Sequence, residues 1–262
     1  MSVAKVLKMI KDKEVKFVDL RFTDTKGKWQ HTAQTASTID ENTFKEGIMF
    51  DGSSIAGWKN INESDMILMP DPSTAVIDPF TAQPQMILFC DVIEPSDGKP
   101  YELDPRSTGK KAEDYLKSSG IGDKCFFGPE AEFFVFDDVK WATNQEYTFF
   151  SIDSEEGAYN TGSEMEGGNM GHRPKDKGGY FPVPPVDSAT DIRAEMVSTM
   201  IEMGLDMEKH HHEVAPSQHE LGFKFGSLIE SADNLQKYKY CVHMVAQAYG
   251  KTATFMPKPV YN

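Results

Sequence analysis

Residues 210–220, HHHEVAPSQHE, constrain the fold most strongly because they combine four histidines and two glutamates with a proline. In a zinc-protease helix, the pattern H-E-x-x-H would place a second histidine at position 216. Pro216 stands there and would break the helix. The stretch therefore predicts a strand that runs into a turn, with two faces formed by alternating side chains. One face carries Glu208, His210 and His212, and the other carries Lys209, His211 and Glu213.

Such a strand has two interpretations. Four imidazoles and two carboxylates in eleven residues are typical of metal sites. A polar edge strand with solvated histidines would have the same composition, and the stretch alone leaves both open.

The charge of the chain restricts its partners. The 262 residues contain 27 Lys and Arg against 41 Asp and Glu, a formal charge of −14. This balance disfavours a nucleic acid or an anionic membrane as the main partner. The three cysteines have no CxxC spacing, which predicts a reducing, cytoplasmic location. We find neither a signal peptide nor an apolar run of membrane-spanning length.

Hydrophobic periodicity and turn residues predict an α+β chain. The first hundred residues read as a short helix followed by a helix-poor mixed sheet, with residues 50–55 in a loop. The second part alternates strands and helices around a mostly antiparallel or mixed sheet, with residues 126–136 as one strand. Residues 141–180 are predicted to be irregular. Ser188 and Asp191 are predicted to begin one helix as a capping box, and Ser231 to cap the last helix.

A second group of carboxylates lies in the strand predicted at 126–136. Period-two alternation places Glu130 and Glu132 on one face, where the two charges repel. Either this face is exposed to water or a hard divalent cation offsets the charges. With Glu213 and Glu220 the chain offers four glutamates, and oxygen-rich ligation favours Mg²⁺ or Mn²⁺ over zinc.

Six motifs in order along the chain resemble those of bacterial, type I glutamine synthetase. They are FDGSSI at 50–55, NESDM at 62–66, FGPEAEF at 127–133, KGGYFPVPPVD at 177–187, HHEVA at 211–215 and KTATFMPKP at 251–259.

The resemblance implies a fold and a reaction. Residues 1–103 would form a β-grasp domain, and residues 104–262 the N-terminal part of a catalytic domain with a curved antiparallel sheet and helices. Subunits of the family form a dodecamer of two hexameric rings, with each active site between neighbouring subunits. ATP phosphorylates the side chain of L-glutamate, and ammonia then displaces phosphate to give glutamine.

The resemblance also assigns roles to individual residues. Three glutamates would hold a first Mg²⁺ or Mn²⁺ ion, and a fourth would hold a second ion on the ATP phosphates: Glu132, Glu213 and Glu220 for the first, and Glu130 for the second. Asp51 and Ser54 would form the ammonium site, with Asp51 as general base and with help from Tyr180 and Glu213. Glu208, His211 and Phe225 would contact the nucleotide or its phosphates.

The chain also departs from the family, which is nearly twice as long. The chain ends before the segment in which the remaining ligands of the second ion are expected, so we expect it to be inactive and not to fold autonomously. The long segment 141–180 resembles the subtype that is regulated by adenylylation of a tyrosine, which implies an adenylylating partner. Two alternatives are a ligase that joins glutamate to a polyamine and a non-catalytic structural relative.

Overall fold

A computed structural model describes residues 1–157 and 171–260. The helices are α1 Val3–Asp12, α2 Thr43–Glu46, α3 Pro105–Ser119, α4 Thr190–Glu202 and α5 Leu228–Ala248. The strands are β1 Phe17–Thr23, β2 Trp29–Thr35, β3 Ile48–Asp51, β4 Asp65–Pro70, β5 Val76–Ile77, β6 Gln85–Ile93, β7 Phe126–Phe127, β8 Glu132–Phe136, β9 Asp138–Thr143, β10 Thr148–Asp153, β11 Met207–His212, β12 Gln218–Phe223, β13 Gly226–Ser227 and β14 Thr252–Thr254. Within this part of the chain, no helix has both the length and the apolar character needed to cross a membrane.

The described residues divide into two compact units. Unit 1 comprises residues 1–127 and 226–233, and unit 2 comprises the described parts of 128–225 and 234–262. The predicted domain boundary between residues 103 and 104 stays a prediction. In unit 1, β7 pairs with β13, which brings residues 226 and 227 beside residues far earlier in the chain.

Unit 1 contains the predicted mixed sheet, in the strand order β2-β1-β6-β4-β3 with β5 paired to β6. Strands β1 and β6 run parallel, whereas the other neighbours are antiparallel. The face of α1 that carries Val6 and Ile10 packs into the same core as buried side chains of β1, β4 and β6. The loop predicted at 50–55 is wrong in its first part, because Phe50 and Asp51 pair with β4.

Arg106 forms an ion cluster in unit 1. The Arg106 side chain is 9% exposed. Its guanidinium contacts three aspartates: Asp71 at 2.7 Å, Asp91 at 2.7 Å and Asp233 at 3.0 Å. Asp91 also pairs with Lys110. Because three carboxylates surround one guanidinium, the cluster connects α3 with β6 and with the start of α5.

Unit 2 contains an antiparallel sheet in the order β11-β12-β8-β14. Tyr238 of α5 is fully buried beside Phe133 of β8 and Phe223 of β12, with ring centroids 6.2 and 5.9 Å apart. Its hydroxyl donates to the carbonyl of Ala131 at 2.7 Å and accepts from the amide of Leu221 at 3.2 Å. These contacts hold the helix against the strands that carry the candidate site.

Two of the predictions for residues 126–180 are wrong. Residues 126–136 form two strands because Pro129 has no N–H to donate to a sheet, and the strands pair with different partners. Part of the segment predicted to be irregular, 141–180, forms the hairpin β9–β10, in which Trp141 lies opposite Phe150. Residues 158–170 of that segment, and residues 261 and 262, lie outside the described residues.

Both predicted helix starts also differ from the structure. Helix α4 begins at Thr190 with Ala189 as its N-cap and without a side-chain cap. The hydroxyl of Ser188 instead donates to Glu156 at 2.7 Å. Helix α5 begins at Leu228, so Ser231 lies inside it and its hydroxyl donates to the carbonyl of Phe127 at 2.9 Å. In both cases the serine hydroxyl that was predicted to cap a helix instead forms a hydrogen bond with a residue distant in the sequence.

Candidate functional site

The hairpin β11–β12 supplies the centre of the candidate site. Its strands pair so that His211 lies directly opposite Glu220. The amide of Glu213 donates to the carbonyl of Gln218 at 2.8 Å, which closes the turn that contains Pro216. Antiparallel partners share a face of the sheet, so this register brings the side chains of His211 and Glu220 together. The prediction of a strand running into a turn is confirmed.

Three side chains converge on this face of the hairpin. The Nδ1 atom of His211 lies 3.4 Å from an oxygen of Glu213, and its Nε2 atom lies 3.6 Å from an oxygen of Glu220. One ligand atom from each residue can be chosen so that all lie within 4.8 Å of one another. Both carboxylates are almost fully buried, at 8% and 6% exposure.

These distances suit a divalent cation. Ligands about 2.1 Å from Mg²⁺ stand roughly 3 Å apart when adjacent in an octahedron and about 4.2 Å apart when opposite. The separations of 3.4 and 3.6 Å are longer than ordinary hydrogen bonds and fall within that range. With His211 as a ligand, these separations fit an ion such as Mg²⁺ or Mn²⁺; without it, the carboxylates of Glu213 and Glu220 still supply oxygen ligands at the same place.

Glu132 and Glu130 approach the same hairpin. Glu132 of β8 lies opposite Glu220 of β12, and it accepts a short hydrogen bond from the side-chain amide of Gln218. Glu130 precedes β8 and is exposed, so the prediction that it lies in a strand with Glu132 is wrong. The same break at Pro129 is the reason.

The electrostatics of these carboxylates also favour a cation. Burial and then the charge of Glu213 raise the pKa of Glu132. Burial likewise raises the pKa of Glu220, and the charge of Glu130 adds to the increase. A carboxylate whose pKa is raised by neighbouring negative charges is stabilised in its ionised form by a bound positive charge.

Two aromatic residues cover His211. The rings of Tyr180 and Phe181 stack at 4.0 Å, and their centroids lie 5.7 and 4.8 Å from that of His211, nearly perpendicular to it. The amide of Gly179 donates to the carbonyl of Val214 at 3.0 Å, which fixes this loop on the turn of the hairpin. The sequence assigned a role to Tyr180 and missed Phe181. The signal was present, since the two aromatics are adjacent in the motif KGGYF.

The opposite face of the hairpin is packed on a buried arginine. Arg193 of α4 forms a two-pronged ion pair with Asp187 and donates to Nδ1 of His219 at 3.2 Å and of His210 at 3.3 Å. Burial lowers the pKa of His219 to about 3, so this ring is neutral and can accept from Arg193. This position gives His210 a structural role in the packing of the hairpin, and the sequence reasoning missed Arg193 and Asp187.

Asp51 and Ser54 lie in unit 1. Asp51 ends β3, and its carboxylate accepts from the amide of Ser53 at 2.9 Å, from the hydroxyl of Ser53 at 2.6 Å and from the hydroxyl of Ser54 at 3.5 Å. The hydrogen bonds from Ser53 lower the pKa of the exposed Asp51 carboxyl. The residue is therefore an anion at neutral pH, with its oxygens oriented by the turn that follows.

The structure brings His211 into the convergent cluster, but places the other two predicted nucleotide contacts elsewhere on the sheet. Glu208 is exposed at an irregularity of β11, where the register shifts between Met207 and Lys209. Phe225 follows β12 and is 57% exposed. A role for either residue in binding a nucleotide stays a prediction.

Comparisons with known proteins match both parts of the chain to one family. The family model "Glutamine synthetase, catalytic domain" matches residues 102–262, and "Glutamine synthetase, beta-Grasp domain" matches residues 14–95. The chain is 63% identical over 261 residues to a glutamine synthetase of Azospirillum brasilense, covering 100% of this chain and 56% of that protein. It is 62% identical over 257 residues to one of Rhizobium meliloti, covering 98% and 55%.

A solved structure matches as well. The cryo-EM structure of Plasmodium falciparum glutamine synthetase has a TM-score of 0.90 at 29% identity, covering 99% of this chain and 51% of that chain. The chain thus spans just over half the length of the curated relatives it matches.

Proposed function

Because the chain belongs to the glutamine synthetase family, we propose that its gene product ligates ammonia to L-glutamate, using ATP and forming γ-glutamyl phosphate as the intermediate. The products are glutamine, ADP and phosphate. The observation that supports this proposal most strongly is the convergence of His211, Glu213 and Glu220 on one face of a hairpin. Beside it, burial and the charges of Glu213 and Glu130 raise the pKa of Glu132 and Glu220, and a bound cation would offset these charges.

The proposed ion site uses the carboxylates of unit 2. Glu132, Glu213 and Glu220 hold one Mg²⁺ or Mn²⁺ ion, and Glu130 contributes to a second. When bound, such ions neutralise the charge that develops on a transferred phosphoryl group. The side-chain amide of Gln218 orients Glu132, since it donates to one oxygen and leaves the other free to face the ion.

His211 has two possible roles at this site. It is a ligand of the ion, or its ring N–H contacts a phosphate beside the ion. The second role matches the family resemblance. We propose it because oxygen ligands satisfy Mg²⁺ without a nitrogen donor. A comparison of Glu132→Gln with His211→Asn separates the roles. We expect the first variant to weaken Mn²⁺ binding, and the second mainly to raise the KM for ATP.

Asp51 and Ser54 form the proposed ammonium site. The hydrogen bonds that lower the pKa of Asp51 keep it ionised, and an anion with oriented oxygens binds ammonium and can accept its proton. Tyr180 and Glu213 assist on the side of the metal cluster. We further propose that the protein assembles as a dodecamer with these sites shared between subunits, that an adenylylating enzyme regulates it and that it is cytoplasmic.

Glutamine formation by the complete gene product tests the function. The assay contains L-glutamate, ATP, ammonium and Mg²⁺, and a parallel reaction replaces ammonium with a polyamine. We expect activity with ammonium and a loss of about a hundredfold or more in kcat/KM for Glu213→Gln. Glu202→Gln, at an exposed glutamate of unit 2, is the matched control and should retain activity. Activity with the polyamine alone, or an unaffected Glu213→Gln, would overturn the assignment.

A further inference from the structure

A buried carboxylate lies behind the metal cluster and is not one of its proposed ligands. Glu156 follows β10 and is 4% exposed. One of its oxygens accepts from the amide of Ser217 at 2.7 Å and from Nε2 of His212 at 2.8 Å. The other oxygen accepts from the hydroxyl of Ser188 at 2.7 Å. A single side chain thus receives hydrogen bonds from the hairpin and from the segment that leads into α4.

The contacts of Glu156 lie at both sides of the turn that carries the proposed ligands. His212 directly precedes Glu213, and its Nδ1 atom donates to the carbonyl oxygen of Glu213 at 2.6 Å. Ser217 lies three residues before Glu220 and has a positive φ of 67°. Glu156 therefore bonds to His212, the residue next to Glu213. It also bonds to Ser217, the residue with positive φ that precedes β12 and Glu220.

The environment of Glu156 maintains these bonds. Burial alone would raise its pKa, but the hydrogen bond and charge of His212 outweigh this effect and bring the pKa to about 2. The carboxylate also borders a cavity of about 210 Å³, lined in addition by Ser188, Ser217 and His219. Water can enter that cavity, so truncation of Glu156 would leave the donors hydrated and the turn less constrained.

We propose that Glu156 is a positioning residue, which holds Glu213 and Glu220 in the geometry that binds the ion by fixing His212 and Ser217. The proposal rests on the proposed metal function of the same hairpin. It assigns Glu156 no contact with substrate or metal. Partners behind a ligand shell commonly change metal affinity by about tenfold to a hundredfold when removed.

The test is a titration of the complete gene product with Mn²⁺, with binding and the electron paramagnetic resonance spectrum of the bound ion as readouts. Glu156→Ala is compared with Glu155→Gln, which removes the same charge at the exposed neighbouring residue. We expect a loss of Mn²⁺ affinity of about tenfold or more for Glu156→Ala, with a changed spectrum. Glu155→Gln should differ by less than about twofold.

A second variant covers the case in which Glu156→Ala does not fold. Glu156→Gln keeps the shape of the side chain and one good acceptor, and we expect it to give a smaller loss of affinity and a partial change of the spectrum. Lower melting temperatures with unchanged Mn²⁺ affinity and spectrum in the folded variants would overturn the positioning role. If the unsubstituted protein itself binds no Mn²⁺, the proposed metal function is overturned. This outcome differs from the loss of the positioning role alone, in which the unsubstituted protein still binds Mn²⁺.

Discussion

Gly179 offers a sharp test of the link between the aromatic loop and the metal cluster. A Cβ atom at this position would lie 2.5 Å from the carbonyl oxygen of Glu213, and 2.8 and 2.9 Å from two ring atoms of His212. Ordinary contact begins at 3.4 Å, so Gly179→Ala must displace the backbone of Glu213 or the loop by about 0.9 Å. Metal and catalytic sites tolerate displacements of about 0.5 Å.

The magnitude follows from that displacement. Overpacking of this kind costs about 1–3 kcal/mol of unfolding free energy. Because the neighbouring atoms belong to Glu213 and His212, we also expect Mn²⁺ affinity to fall by about tenfold or more. Thermal unfolding and Mn²⁺ titration of the complete gene product measure the two effects separately.

The adjacent glycine provides the control. A Cβ at Gly178 would meet Lys175 at 3.2 Å, which requires a shift of only a few tenths of an ångström. Gly178→Ala should therefore change the unfolding free energy by less than about 1 kcal/mol and leave Mn²⁺ binding unchanged. If Gly179→Ala behaved in the same way, the loop would not be seated against the turn as described, and the reasoning would be refuted.

Three further predictions test the fold and its electrostatics. Arg106→Met leaves three aspartates without their shared cation and should destabilise the protein by about 3–5 kcal/mol in urea unfolding, whereas Lys110→Met, at a partly exposed pair, should cost less than about 1 kcal/mol. Tyr238→Phe removes a buried hydroxyl that serves a carbonyl and an amide, and should cost about 1–3 kcal/mol in the same assay. Since the pKa of Glu156 is about 2 against an ordinary 4.5, its stabilising effect is complete above pH 4.5 while His212 stays protonated, and it is lost as the pH falls toward 2. The difference in unfolding free energy between the unsubstituted protein and Glu156→Gln should accordingly shrink between about pH 6 and about pH 3, and a constant difference would contradict the ion pair.

Elements with clear end signals are the ones that a sequence can predict most readily. Helix α3 begins after Asp104, whose side chain accepts from the amides of Arg106 and Ser107, and it ends at Gly120 in the left-handed conformation. The hairpin β9–β10 was missed because residues 141–180 as a whole are rich in Gly, Asn, Ser and Asp, which hid two short strands at the start of the segment. Trp141 and Phe150 of this hairpin are 72% and 70% exposed.

The site was predictable only in its local part. His211, Glu213 and Glu220 lie within ten residues of one another, and their convergence follows from a strand, a turn and a second strand. The pair formed by Glu156 and His212 spans 56 residues. The pair formed by Gln218 and Glu132 spans 86 residues. Neither has a local signal, since each depends on how distant strands are brought together by the sheet.

The register of β11 explains why one histidine-rich stretch serves two purposes. Alternation sends His211 toward Glu213 and Glu220, and sends His212 toward Glu156 on the buried face. A slip of one residue would exchange these faces, placing His212 among the carboxylates and His211 against Arg193. The pairing of His212 with Glu156 therefore opposes the slip, because the slipped register would leave that buried carboxylate without its charged partner. The same contact that we propose to position the ligands thus also selects the register in which they meet.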